Sequence, residues 1–324
     1  MKLFKSFLDG MLEDYIAYRH TLGFTDKNLR SLLRHFDRFV SEKKAGWEMF
    51  TPMFFLDFRQ TLTQEPRSVN LIVSVVRCFF DYLVRMELCT ENPLKDIPAL
   101  RQNSFIPFVF SQPQLDGLLD YVQRKIRHSE EHFFHDFTVY TAVTLLVRCG
   151  LRISEPLRLQ PDQYRCWEKT LYIEKTKFCK DRLIPVPDTE AQEIENYLAV
   201  RSRFLDGKQE PFLLVGKRGG PLSINRIYPL FQQAITDLGL WESRKIIGHT
   251  TFGAPTPHSL RHSFAVNTLK RVREQGESAQ QALPILAAYM GHRKYRYTAL
   301  YLKVLEAGQR RALVDFTVAR REDL

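Results

Sequence analysis

The chain is short of several things that would point to familiar functional classes. Its five cysteines are an odd number with no C-x-x-C pair among 324 residues. Neither a disulfide framework nor a cysteine-based zinc site is expected, and the thiols read as reduced. No run of about 18 apolar residues occurs, so no membrane span is expected. The first twenty residues, MKLFKSFLDGMLEDYIAYRH, set acidic side chains inside their apolar pattern, which argues against a secretory signal. A cytoplasmic protein is the expectation. No carboxylate cluster has ligand spacing, which disfavours a metal nuclease, and no internal repeat or low-complexity tract is present.

What the chain does have is positive charge. The net charge is +10 and the pI about 9.3, a balance that points to a polyanionic partner, with nucleic acid first. Residues 1–100 carry 14 Lys+Arg against 13 Asp+Glu, so nine of the ten excess charges fall on residues 101–324. A hydrophobic content of 44% with 26% charged residues is that of a globular protein. The length suits one large or two medium domains.

Helical spacing runs through residues 3–18, through NLRSLLRHFDRFVSEK, through TPMFFLDFRQTL with Pro52 at a helix start, and through SVNLIVSVVRCFFDYLVRM. These four stretches predict a small helical bundle over residues 1–98. Pro93, Pro98 and Pro107 in an aperiodic segment predict an extended connection over 99–110. Ser111 with Gln114 forms a capping-box pattern that restarts a helix, and residues 111–324 read as a second domain. That domain is mostly helical. It includes two strand-like pieces, 171–173 and 182–186, that flank a lysine-rich turn. The expected fold class is mainly α: a four-helix-type N-terminal domain and an α+β second domain with a small antiparallel sheet.

The stretch AAYMGHRKYRYTALYLKV holds Tyr289, Tyr295, Tyr297 and Tyr301 beside His292 and a basic run. A tyrosine that attacks a phosphodiester needs help losing a proton held near pKa 10. The extra charge at phosphorus suits arginine forks, and the leaving oxygen needs a general acid. The second domain supplies that inventory in CGLRISEPLRL with Arg152, TPHSLRHSFAV with His258 and Arg261, MGHRKYRY with His292, and EKTKFCKDRLIPVP with its lysines. His258 and Arg261 are three apart, so a helix turns them the same way.

GLRISEPL, TKFCKDRLIPVP, HSLRHSFA and MGHRKYRYTALYLKV, in that order, resemble the boxes of the tyrosine recombinases, the phage-integrase family of DNA breaking-and-joining enzymes. RSVNLIVSVVRCFFDYLVRMELCTENPL resembles the last helices of that family's core-binding domain, so the likeness covers nearly the whole chain. It implies that Tyr301, nine residues after His292, is the nucleophile. It further implies that Arg152 and Arg261 grip the scissile phosphate and that His258 assists proton transfer from the tyrosine. His292 would contact a phosphate oxygen, and Glu155 would steady the site. The hairpin lysine would be the general acid: the alignment selects Lys177, with Lys175 and Lys180 as competitors. No metal or cofactor is implied.

The implied partner is double-stranded DNA, clamped between the two domains, with a homo- or hetero-tetramer of recombinases on paired sites. The implied chemistry passes through a 3′-phosphotyrosyl bond, and a mobile element is the first expectation for its use. A catalytically silent DNA-binding relative and a type IB topoisomerase-like relaxing enzyme stay open as alternatives. Two features depart from the family pattern: Pro284 in a lengthened segment before Gly291, and Arg-Lys-Tyr-Arg in place of small polar residues after the G-H pair. The tail after Tyr301 is expected to be helical and to dock either on a neighbouring subunit or on its own domain.

Overall fold

The computed structural model describes residues 4–24, 28–174, 181–292 and 294–306. The chain forms two compact units, Met1–Asn103 and Ser104–Leu324.

The first unit holds α1 (Asp9–Thr21), α2 (Leu29–Lys43), α3 (Pro52–Gln60) and α4 (Pro66–Arg85). Each turns its apolar stripe inward: Leu12 and Tyr15, Leu33 and Phe36, Phe55 and Phe58, Val76 and Phe80. The core is aromatic. The Phe36 ring is fully buried, 5.4–6.0 Å from the rings of Phe50, Phe55, Phe58 and Phe80. Thr51 caps α3 through its side chain, and Pro52 occupies the first turn. Helix α1 starts at Asp9, not at residue 3. The backbone N–H groups of Lys5 and Ser6 donate instead to the buried Asp37 carboxylate, each at 2.9 Å, and a non-helical lead-in brings Phe4 into the core. After α4, Arg77 donates to the carbonyls of Leu94 (3.0 Å) and Ile97 (2.7 Å), and Asn70 exchanges two 2.8 Å hydrogen bonds with Leu100. The proline-bearing segment is thereby pinned along α4.

Residues 104–110, read above as linker, fold with the second unit. Strand β1 (Ser104–Ile106) runs parallel to β6 (Thr250–Phe252), β6 pairs antiparallel with β5 (Lys245–Ile247), and Phe110 is fully buried. This mixed sheet has no counterpart in the sequence reading. The expected antiparallel sheet is present as β2 (Tyr164–Arg165), β3 (Thr170–Ile173) and β4 (Arg182–Pro185), in that order.

Among the described residues, the α-helices of this unit are α5 (Gln112–Arg124), α6 (Glu130–Arg148), α7 (Asp188–Leu205), α8 (Ile224–Asp237), α9 (Pro257–Glu274), α10 (Ala279–Met290) and the helical residues 296–306, here α11. The capping box of Ser111 and Gln114 opens α5. Helix α6 is the hub, packed by α5, α7, α8 and α9. Every residue from Thr138 to Val147 is buried, which fits a helix apolar on all sides. Two of its three threonines hide their hydroxyls by bonding back four residues, Thr138 to Phe134 O at 2.8 Å and Thr141 to Phe137 O at 2.9 Å. Pro284 lies inside α10, whose cap is Ser278. No helix among the described residues is long and apolar enough to cross a membrane.

Candidate active site

The site is assembled from the ends of helices. Helix α6 stops at Cys149, and Gly150 turns the chain with φ +57°. A Cβ there would stand 2.4 Å from Phe264 Cδ1, so both the backbone angle and the space require glycine. Arg152 follows at the head of a turn. Glu155 N–H bonds back three residues to Arg152 O at 2.8 Å. Pro156 brings no N–H to continue an i−4 ladder, and a three-residue 3-10 helix, Pro156–Arg158, results.

Helix α9 opens at Thr256, with Pro257 in its first turn. Its face carries His258, Arg261 and His262 at spacings i, i+3 and i+4. Helix α10 ends at Gly291, φ +58°, leaving last-turn carbonyls without intrahelical donors.

The arginines take up those carbonyls. Arg152 Nη2 donates to Gly291 O at 2.9 Å and to Met290 O at 3.2 Å. Arg261, with 2% of its surface exposed, donates through Nη1 to Gly150 O at 2.7 Å and through Nη2 to Met290 O. Two guanidinium groups thus meet at one carbonyl. Glu155 sits beneath them: its carboxylate accepts from Arg152 Nη1 at 2.8 Å and from Arg182 at 2.8 and 3.1 Å. Arg182 Nε also donates to Tyr289 O at 2.7 Å. Three cations face one carboxylate here, a surplus suited to an anionic ligand.

Tyr301 comes in from α11. It is 2% exposed, and its hydroxyl lies 3.1 Å from His262 Nδ1. His292 packs beside it, ring centroids 6.1 Å apart, and its Nδ1 is 2.8 Å from the hydroxyl of the buried Thr298. The other tyrosines are placed differently. Tyr289 donates its hydroxyl to Cys149 O at 3.1 Å, while Tyr295 and Tyr297 are exposed.

The cationic surplus and the burial set the protonation states. Burial first, then the positive Arg261 and Arg152, push His292 down to about 4. Burial, His258 and Arg261 push His262 down to about 3. His258 keeps an exposed edge within dense surroundings, and burial with Arg261 and Arg152 lowers it too. All three imidazoles are therefore neutral at pH 7. Burial and the neighbouring Arg152 bring Arg261 down to about 9, which leaves it cationic at pH 7. Burial raises the Glu155 carboxyl, but the hydrogen bond and charge of Arg182 outweigh it and hold the group below its ordinary value. Burial raises the Tyr301 phenol, and Arg261 and Arg152 only partly offset this. At pH 7 it is therefore a protonated phenol.

Of the residues named from sequence, Arg152, Glu155, His258, Arg261, His292 and Tyr301 lie in this one neighbourhood. Lys177, with Lys175 and Lys180, lies outside the described residues. Two contributors escaped the sequence reading. His262 is four residues after His258 and so shares its helical face. Arg182 shares the inner side of β4 with the fully buried Ile184 while Leu183 points out. That alternation marks an arginine in need of a buried carboxylate.

Residues 111–307 match the phage integrase family. The chain is 30% identical over 326 residues to "Putative integrase/recombinase y4rE" of Sinorhizobium fredii, covering 97% of this chain and 99% of that one. It is 24% identical over 318 residues to tyrosine recombinase XerD of Oceanobacillus iheyensis, covering 93% and 95%. Among solved structures, a lambda integrase dimer bound to a COC′ core site superposes with a TM-score of 0.65 at 17% identity, over 91% of this chain and 76% of that one. The arginine and tyrosine neighbourhood falls wholly inside the matched region, and with a relative alike from end to end the chain belongs to the phage integrase family of tyrosine recombinases.

Proposed function

We propose that the chain is a site-specific recombinase that cleaves and rejoins duplex DNA through a 3′-phosphotyrosyl bond at Tyr301, in the service of a mobile element. The observation that carries this reading is the meeting of Arg152 and Arg261 at the Met290 carbonyl, close enough to Tyr301 for both guanidinium charges to act on its phenol. A phosphodiester docked on those forks is the natural anion for the cationic surplus. The Tyr301 oxygen attacks phosphorus, the bond to the 5′ oxygen breaks, and the charge gathering on the non-bridging oxygens is met by both arginines. His258 takes part in removing the phenolic proton, and His292 contacts a phosphate oxygen. Lys177 protonates the departing 5′ oxygen. Glu155 holds Arg152 and Arg182 in place.

The ester stores the bond, so a 5′ hydroxyl from a second DNA reverses the step. Four subunits on two paired sites perform both strand exchanges. Support for a DNA partner comes also from the nine excess positive charges on residues 101–324. Support for the assembly comes from a solved structure of similar fold, a lambda integrase tetramer bound to a Holliday junction.

The test is covalent capture. The chain is incubated with nicked duplexes taken from the DNA that flanks its own gene and run on a denaturing gel beside Tyr301→Phe and Tyr297→Phe. A shifted band lost in Tyr301→Phe and kept in Tyr297→Phe is the expected result. Loss in Tyr297→Phe instead moves the nucleophile. Tight DNA binding with no band on any substrate favours a silent binding relative.

A further inference from the structure

Resting on the cleavage reading above, we propose that His262 seats the nucleophile: its Nδ1 accepts the hydrogen of the Tyr301 hydroxyl and fixes the direction from which that oxygen meets phosphorus. The contact is 3.1 Å between residues 39 apart in sequence, with the rings 5.7 Å apart and inclined by 58°. It joins the first turns of α9 to α11, the two elements that bring the phosphate-binding arginine and the nucleophile together.

His258 stands one turn earlier on α9, edge-on to His262 at 4.6 Å and 84°. The two histidines therefore divide the site. His262 reaches inward to the phenol, and His258 keeps an edge toward solvent, where DNA arrives. The chemistry of His262 fits the role. Buried beside Arg261 and His258, it stays uncharged at pH 7, so one ring nitrogen keeps a lone pair for a phenolic O–H. A permanent cation at this position would repel Arg261.

The need for a seat is geometric. In-line attack demands the phenol oxygen opposite the departing 5′ oxygen, and a misplacement of about 1 Å costs on the order of 100-fold in rate. Tyr301 belongs to a buried apolar cluster that includes Leu269, Leu283, Met290 and Leu305, and apolar packing sets the ring's depth without setting the direction of its hydroxyl. A hydrogen bond does set it.

The experiment is single-turnover cleavage of a nicked duplex at saturating DNA by wild type, His262→Ala, His262→Asn and His262→Gln, with DNA affinity from gel shifts and folding from thermal melts. An asparagine carbonyl lies near the position of Nδ1, a glutamine carbonyl near that of Nε2. His262→Ala should cleave on the order of 100-fold more slowly at unchanged DNA affinity. His262→Asn should recover to within about tenfold of wild type, and His262→Gln should stay with alanine.

A second readout needs no activity. The Tyr301 Cζ NMR resonance, assigned by its loss in Tyr301→Phe, should move in His262→Ala and return in His262→Asn. Wild-type rates in a folded His262→Ala, or an asparagine variant no better than glutamine, overturn the proposal. A Cζ resonance that ignores His262→Ala overturns it as well. A wild type that never forms the covalent band sinks the cleavage reading instead, and the catalytic role with it.

Discussion

The core of the first unit and the site of the second are both closely packed, yet different things specify them. Around Phe36, four aromatic rings arrive from three segments of the chain, and each contact is of one kind. Apolar residues of similar size serve in such a core at modest cost. Around Arg261, two backbone carbonyls, each at a particular helix end, take two particular N–H groups. No other side chain has a planar fork that is always charged. The first region is built of many interchangeable contacts, the second of a few that have no substitute. Damage to the first should register as lost stability, and damage to the second as lost chemistry.

The sharpest way to break that comparison is to strike both regions. Arg261→Lys keeps the charge and discards the fork. Single-turnover cleavage at saturating DNA should fall on the order of 100- to 1,000-fold, with the melting of the first unit unchanged. Phe36→Ala should cost the first unit about 3–5 kcal/mol, measured by denaturant unfolding. Below its melting point the same variant should cleave saturating DNA at the wild-type rate. Equal slowing by both substitutions would mean that the two regions are not separable.

Gly150 lies between the extremes, since it is at once a packing position and the support for a site carbonyl. Gly150→Ala puts a Cβ 2.4 Å from Phe264 Cδ1 on a backbone with φ +57°. A loss of about 1–3 kcal/mol is expected. Because Gly150 O receives Arg261, cleavage should slow as well. Stability loss alone would show that the carbonyl tolerates displacement.

The same contrast explains what was legible beforehand. The helices of the first unit announce themselves because apolar spacing repeats within each segment. The Asp37 contacts that replace the first turns of α1 do not, being made across more than thirty residues by backbone donors. In the second unit the residue types of the site are visible as boxes in order, but their partners are not. Gly150 O, Met290 O and Gly291 O carry no side-chain signature, and Glu155 meets Arg182 only when β4 and the turn after α6 close together. His262 is visible in HSLRHSFA, but its contact with Tyr301 across 39 residues is not. Strands β1, β5 and β6 are three residues long and mostly exposed, too short and too wet for alternation to show.

Acid sensitivity is the smallest effect and the finest probe of the comparison. In the site, His262 and His292 take up protons only near 3 and 4, whereas unfolded imidazoles do so near 6.5. Between these values the unfolded chain binds more protons than the folded one, so stability falls as pH falls below about 6.5 and has no such slope above it. The lowered Glu155 carboxyl contributes stability that is lost only on further acidification, below its ordinary value of 4.5. The interval from pH 5 to 7 therefore isolates the histidines. The first unit has in His35 a single histidine lowered by burial and by Arg38. Melting followed from pH 7 to 5 should show the second unit losing several degrees more than the first. His292→Asn should narrow that difference, because an amide takes no proton in this range, and His262 supplies much of what is left. Equal slopes in the two units would place the acid response outside the site. Part of the His292 ring remains open to water, so solvent screening keeps the effect small. Its direction, however, is fixed by the cations that surround it.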